Sequence, residues 1–248
     1  MQVTPVRDRR TVVDEIFEHL HDEISSMRLR PGDRISEADV AAQFGVSRQP
    51  VRDAFSRLEN ASLLLIRPQR ATEVRRFSLQ EIEKSRFVRA SVEAEVLRRA
   101  AKTCTADGAA LLNVCLDRQS EAVSEGDYQR FGLLDYEFHR TLCEIAEVGF
   151  VFEVISSEKG KVDRLCMLGL AKEDRMPQLL DDHRRIAECV IAQDAEGAVA
   201  AGMLHLSRLD STIRSIVANH KNYFEIQGDD DRRAGRGQAA SVETSRSL

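Results

Sequence analysis

Tryptophan is absent from the 248-residue chain, aromatic residues reach only 5%, and glycine and proline number 13 and 5. A fold of many short strands needs frequent turns and aromatic or β-branched filling, so this scarcity argues against a strand-rich fold and for a mainly α one. Also missing is any apolar run near the roughly 18 residues that a membrane-spanning helix requires. The opening MQVTPVRDRR leads into charged sequence rather than the apolar centre of a secretory signal. The five cysteines, at 104, 115, 143, 166 and 189, form no CxxC pair and no short metal-ligand spacing, and read as reduced core thiols. Together these absences predict a soluble, cytoplasmic, helical protein that does not engage a membrane.

Hydrophobic residues make up 42% of the chain, enough to fill a real core, and the length suits two domains. The formal net charge of −5 is unevenly spread. Residues 1–77 carry 13 basic and 12 acidic side chains, net +1, and residues 78–226 carry 19 and 25, net −6. Residues 47–76 hold seven arginines against three acids, net +4. Positive charge is therefore concentrated in one short stretch, the footprint expected of a nucleic-acid contact.

The apolar positions Val13, Ile16, Phe17, Leu20 and Ile24 recur at helical spacing, and RLRPGD supplies a stop, so a first helix is expected to end near Met27. Ser36 with Asp39 resembles a capping box that opens a short helix through Val40 and Phe44, closed by Gly45. Ser47 is placed to cap the next helix, with Pro50 in its first turn, where a missing N–H costs nothing. Leu63–Ile66 and Glu73–Arg76 read as the two strands of a hairpin around RPQRAT, a loop without glycine. Three helices and a hairpin make a winged helix-turn-helix, expected over residues 1–77. From Ser78 the texture changes to long amphipathic helices, expected at about 106–125, 127–147, 149–170, 176–193 and 195–222 after a first one beginning SLQEIEK. An antiparallel helical bundle over 78–226 is the economical architecture. The polar stretch from Gln227 to Leu248 is expected to be a disordered tail.

In FGVSRQPVRDAFSRLENASLL, Arg48 and Arg52 lie one helical turn apart, opposite Val51, Ala54, Phe55 and Leu58. The second helix of such a motif enters the major groove with its N-terminal residues. Arginine can donate two hydrogen bonds to guanine and glutamine can pair with adenine, which makes Arg48, Gln49 and Arg52 candidate base contacts and Ser47 a phosphate contact. Arg67 and Arg70 on the wing are candidates for the backbone or the minor groove. The bland alternative is a solvated face on which Arg48, Arg52 and Arg57 pair with Asp53 and Glu59. The run GDRISEADVAAQFGVSRQPVRDAFSRLENASLLLIRPQRATEV resembles the winged-helix signature of the GntR family of bacterial transcription regulators. The resemblance implies operator contacts at Ser47, Arg48, Gln49 and Arg52. Ala38 departs from it, where many members carry a DNA-contacting arginine, and so does Ala71, where a wing glycine is common.

A second cluster lies further along. Asp135 and His139 in LLDYEFHRTL are spaced i, i+4 on a predicted helix, so both side chains can close on one ion. His183 shares a stripe with Leu179, Leu180, Ile186 and Val190, and His205 shares one with Leu209, Thr212 and Ile216. Imidazole with carboxylate suits Zn, Ni, Mn or Fe. Each histidine taken alone also reads as a satisfied core residue, and His19, His21 and His220 read as surface residues. Residues 78–226 resemble the FCD effector domain of the FadR subfamily, closer to its six-helix VanR-type group. Its metal-binding members carry an Asp-xxx-His motif and two later histidines about 22 residues apart, matched here by Asp135, His139, His183 and His205. The resemblance implies a small carboxylic acid at the open positions of the bound ion. Arg89, on the stripe of Ile82, Val92 and Val96, is the candidate second anchor for that acid; a pair with Glu93 or a domain contact is the other reading. Val148 stands where relatives often have an asparagine.

The resulting expectation is a homodimer that binds an approximately palindromic double-stranded operator as a repressor, with a small organic acid at a metal site controlling affinity, and no enzyme. A metal-responsive repressor without an organic effector is a second reading, and a helical metalloenzyme a third.

Overall fold

A computed structural model describes residues 11–166 and 175–225. By internal contacts the chain divides into two compact units, Met1–Leu79 together with His220–Leu248, and Gln80–Asn219. The expected disordered tail and the last residues of the helix expected over 149–170 lie outside the described residues.

In the first unit, α1 (Val12–Ser25) starts from a full capping box. Thr11 accepts from the Asp14 N–H and Asp14 accepts from the Thr11 N–H, so two otherwise orphaned donors are satisfied. The helix ends at Ser25, and Met27, where the sequence placed the end, has left the helical region with φ +63°. After β1 (Arg34–Ile35), α2 (Glu37–Phe44) begins where the Ser36 hydroxyl accepts from Ala38 and Asp39, and ends at Gly45. Gly45 sits at φ +65°, a conformation that glycine adopts without a Cβ clash. The third helix, α3 (Arg48–Asn60), starts at Ser47, but its hydroxyl makes no capping bond, contrary to the sequence expectation. Ile16, Leu20 and Ile24 of α1 pack with Val51, Ala54, Phe55 and Leu58 of α3 in one core, closed by Leu64 and Val74. Full burial of a side chain such as Phe55 contributes about 1.5–3 kcal/mol.

The hairpin strands are β2 (Leu64–Leu65) and β3 (Thr72–Val74), and β1 joins them in an antiparallel sheet of order β1-β3-β2. The two-residue β1 was not legible as a strand. Gln69 takes the left-handed turn position, φ +59°, that a glycine would otherwise occupy, while Arg70 N–H donates to the Arg67 carbonyl. The segment after the last long helix also belongs to this unit. Phe77 and Phe224 form a parallel β-bridge and a ring contact at 5.8 Å, and Glu225 reaches Arg75 at 3.5 Å.

The second unit is built from α4 (Leu79–Thr103), α5 (Ala106–Glu125), α6 (Tyr128–Ile145), α7 (Phe152–Cys166), α8 (Met176–Ile191), α9 (Ala195–Ser207) and α10 (Leu209–Asn219). A single 3-10 turn, Gly149–Val151, precedes α7. Its main core joins Val96 and Leu97 of α4, Leu112 of α5, Phe138 and Leu142 of α6, and Ile186 and Val190 of α8. The helix expected over 195–222 is broken: Arg208 N–H bonds back to the His205 carbonyl at 3.2 Å, and the chain restarts as α10. The Arg208 guanidinium meanwhile grips Asp182 through Nε and Nη2, at 3.2 and 3.1 Å, which fixes the residue at the break. Among the described residues, no helix is long and apolar enough to cross a membrane.

Candidate functional site

The positions of the two later histidines follow from a short connection. Helix α8 ends at Ile191 and α9 begins at Ala195, so the pair is antiparallel. At 1.5 Å per residue, His183 lies about 12 Å before the turn and His205 about 15 Å after it, hence side by side. Their ring centroids are 4.7 Å apart. Helix α6 brings Asp135 and His139 to the same place, and the His139 ring lies 5.8 Å from His183 and 5.5 Å from His205. One ligand atom from each of Asp135, His139, His183 and His205 lies within 4.8 Å of the others, and all four residues are buried.

The atoms around this cluster fit a metal. Among the described residues, His139 Nε2, His183 Nε2 and His205 Nδ1 are buried without a hydrogen-bond partner, an unusual state for polar atoms that an ion would relieve. The other nitrogen of two of these rings is held. His139 Nδ1 lies 3.0 Å from Glu93 Oε2, and His183 Nδ1 lies 2.8 Å from Gln119 Oε1, whose amide donates to the Leu134 carbonyl. Such outer partners fix the tautomer and aim the free nitrogen. Asp182, held by Arg208, stands 3.8 Å from His205 Nδ1. Asp135 Oδ1 is 3.4 Å from His183 Nε2, and Lys159 Nζ lies 3.0 Å from Asp135 Oδ2. Phe138 stacks on His183 at 4.3 Å and walls off one face.

Protonation states agree with that donor set. Burial pushes His183 down to about 4, so its imidazole is neutral near pH 7, the form that binds a metal. Burial alone would raise the Asp135 carboxyl, but Lys159 and then His183 hold it well below the usual carboxylate range. Glu93 is likewise raised by burial and brought down to about 2 by His139 and Arg89.

Arg89 is 4% exposed, and its Nε donates to Glu93 Oε1 at 2.8 Å. The structure thus shows the pair with Glu93, and Glu93 in turn touches His139, which puts Arg89 one residue from the cluster. Its terminal nitrogens make no hydrogen bond among the described residues. Reading the sequence for ligand types missed Gln119, Asp182 and Lys159. Gln119 had a legible signal, since it shares the buried stripe of Leu112, Cys115 and Ala122. Lys159 had the same signal, since it falls on the buried stripe of Phe152, Ile155 and Val162 in α7. His19 and His220 are half-buried and His21 is exposed, all three away from the cluster in the first unit.

On the first unit, Ser47, Arg48, Gln49 and Arg52 are all exposed at the start of α3. Arg48 has no ion-pair or hydrogen-bond partner among the described residues. Gln49 donates to Asp53 at 2.9 Å and Arg52 to Glu37 at 2.9 Å, exposed contacts that are weak in water. On the wing, Arg70 is exposed, while Arg67 pairs with Glu73 at 3.1 Å. Arg57 instead bridges two helices, bonding Asp14 at 2.7 Å and lying 4.4 Å above the Phe17 ring.

Sequence relationships settle what these two units belong to. Residues 12–74 match the bacterial regulatory proteins of the gntR family, and residues 86–208 match the FCD domain. The HTH-type transcriptional repressor RspR of Escherichia coli K12 is 30% identical over 221 residues, 89% of this chain and 97% of that protein. The chain belongs to the GntR family. It is a DNA-binding transcriptional regulator with an FCD domain, in a family of regulators rather than enzymes. A GntR regulator from Rhodococcus sp. RHA1 shares the fold at a TM-score of 0.65 and 22% identity, covering 82% of this chain and 97% of its own. E. coli McbR/YncC does so at 0.62 and 18%, covering 83% and 98%.

Proposed function

We propose that this GntR regulator is an operator-binding repressor whose affinity for DNA is set by a small organic acid at a divalent metal site in its FCD domain. The winged helix of the first unit reads DNA, and the helices of Gln80–Asn219 hold the ion and the acid. The observation that carries this reading is the set of three buried imidazole nitrogens beside Asp135 that make no hydrogen bond among the described residues. Asp135, His139, His183 and His205 would hold the ion, which when bound supplies positive charge and open positions for carboxylate oxygens. Zinc, nickel, manganese and iron all suit these donors. Glu93 and Gln119 orient two of the rings. Arg89, buried and with no hydrogen bond from its terminal nitrogens among the described residues, supports an acid over metal alone, because a guanidinium pairs a carboxylate with two bonds.

Ser47, Arg48, Gln49 and Arg52 contact one half-site and Arg67 with Arg70 its flank. The protein acts in the cytoplasm as a homodimer that spans an approximate palindrome. An acid that prefers one arrangement of the dimer shifts operator affinity by its difference in affinity for the two. Elemental analysis of the purified protein tests the site: wild type should carry about one divalent ion per chain, and the double variant His183→Ala/His205→Ala none. Equal metal content in the two proteins would defeat the assignment.

A further inference from the structure

Lys159 is a buried cation that the candidate ligands do not themselves require. It comes from α7, is 7% exposed, and directs its ammonium onto three partners. Nζ lies 3.0 Å from Asp135 Oδ2, bonds Asp163 Oδ2, and sits 4.0 Å from the centre of the Tyr136 ring. Tyr136 closes the group by donating to Asp163 at 2.9 Å. Burying an ammonium is costly unless it is paired, and here the carboxylates of Asp135 and Asp163 pair it.

The consequence lies in how Asp135 is shared. Its Oδ1 faces His183 Nε2 at 3.4 Å, within the metal-competent cluster, and its Oδ2 belongs to Lys159. A divalent ion bound by the cluster would therefore share one carboxylate with an ammonium. Asp163 offsets that ammonium in part, but its side chain is 40% exposed and so is screened by water. We propose that Lys159 is an affinity-setting residue of this site: by holding the outer oxygen of Asp135 it weakens the grip on a divalent cation and makes the ion exchangeable. The proposal rests on the metal reading above and adds to it the residue that limits binding.

Zinc titration calorimetry on the full chain, stripped with chelator, tests it. Lys159→Gln keeps a hydrogen-bonding side chain but removes the charge, and should bind zinc at least about tenfold tighter than wild type, a conservative share of the Coulomb repulsion expected at an effective dielectric near 20. Unchanged or weaker binding by folded K159Q overturns the proposal, while zinc uptake by wild type keeps the metal reading. Uptake by K159Q alone overturns the metal reading for the native chain and, with it, the exchangeable ion proposed here. No uptake by either protein overturns both. Should K159Q fail to fold by circular dichroism, Asp163→Asn takes its place. Removing the partial offset of the ammonium should weaken zinc binding about threefold or more, and unchanged affinity overturns the proposal.

Discussion

As pH falls from 7, acid should loosen the metal-free protein first through His183. His183 is fully buried, 0% exposed, and burial lowers its imidazole from 6.5 to about 4. Between those values the unfolded chain binds a proton that the folded chain refuses, so stability must fall as pH falls through the window. At pH 7 both states are largely neutral and the term is small. At pH 5 the unfolded imidazole is mostly protonated and the folded one mostly not, which costs about 2 kcal/mol, from 1.5 units at about 1.4 kcal/mol each. Below pH 4 the full difference of 2.5 units, about 3.4 kcal/mol, is lost. Urea unfolding of chelator-treated protein at pH 7 and pH 5 measures this, with circular dichroism as the probe because the chain has no tryptophan. His183→Gln removes the titration and serves as the reference. Wild type should lose about 2 kcal/mol more than the variant between the two pH values. Equal losses would refute the claim that this imidazole is buried and neutral.

Replacing Arg48 or Arg52 by Ala should lower affinity for a specific operator by roughly five- to 150-fold, from the ~1–3 kcal/mol of a two-bonded base contact, in an anisotropy titration, with helix content unchanged. Arg89→Ala should abolish the response to an acid while elemental analysis still finds the metal; loss of both together would make Arg89 structural. Phe224→Ala removes a ring that is 6% exposed and packed on Phe77, and should destabilise the first unit by about 3–5 kcal/mol in thermal unfolding.

Much of this fold is legible in the sequence. The recognition helix could be read because Val51, Ala54, Phe55 and Leu58 fix which side of α3 is buried, and so which side carries Arg48 and Arg52. His183 and His205 could be paired because each sits on an apolar stripe and the connection between their helices is short. The break at Arg208 was not legible: LSRLDSTI continues a helical pattern, and the contact made at the break, Arg208 on Asp182, lies 26 residues away in the chain. The hold of Phe77 on Phe224 was hidden for the same reason, since a one-residue bridge leaves no periodicity. Ser47 shows the converse error. Its position at the helix start was right, but position does not guarantee that the hydroxyl turns inward to cap.

The most direct test follows binding of labelled DNA from the neighbourhood of the protein's own gene by fluorescence anisotropy, with metal-free protein, zinc-loaded protein, and zinc-loaded protein with succinate, citrate or gluconate. The account predicts preference for a fragment with an approximate palindrome, altered by an acid in zinc-loaded wild type and not in His183→Ala/His205→Ala. No preference among fragments under any loading, or the same acid response in the double variant, would contradict it.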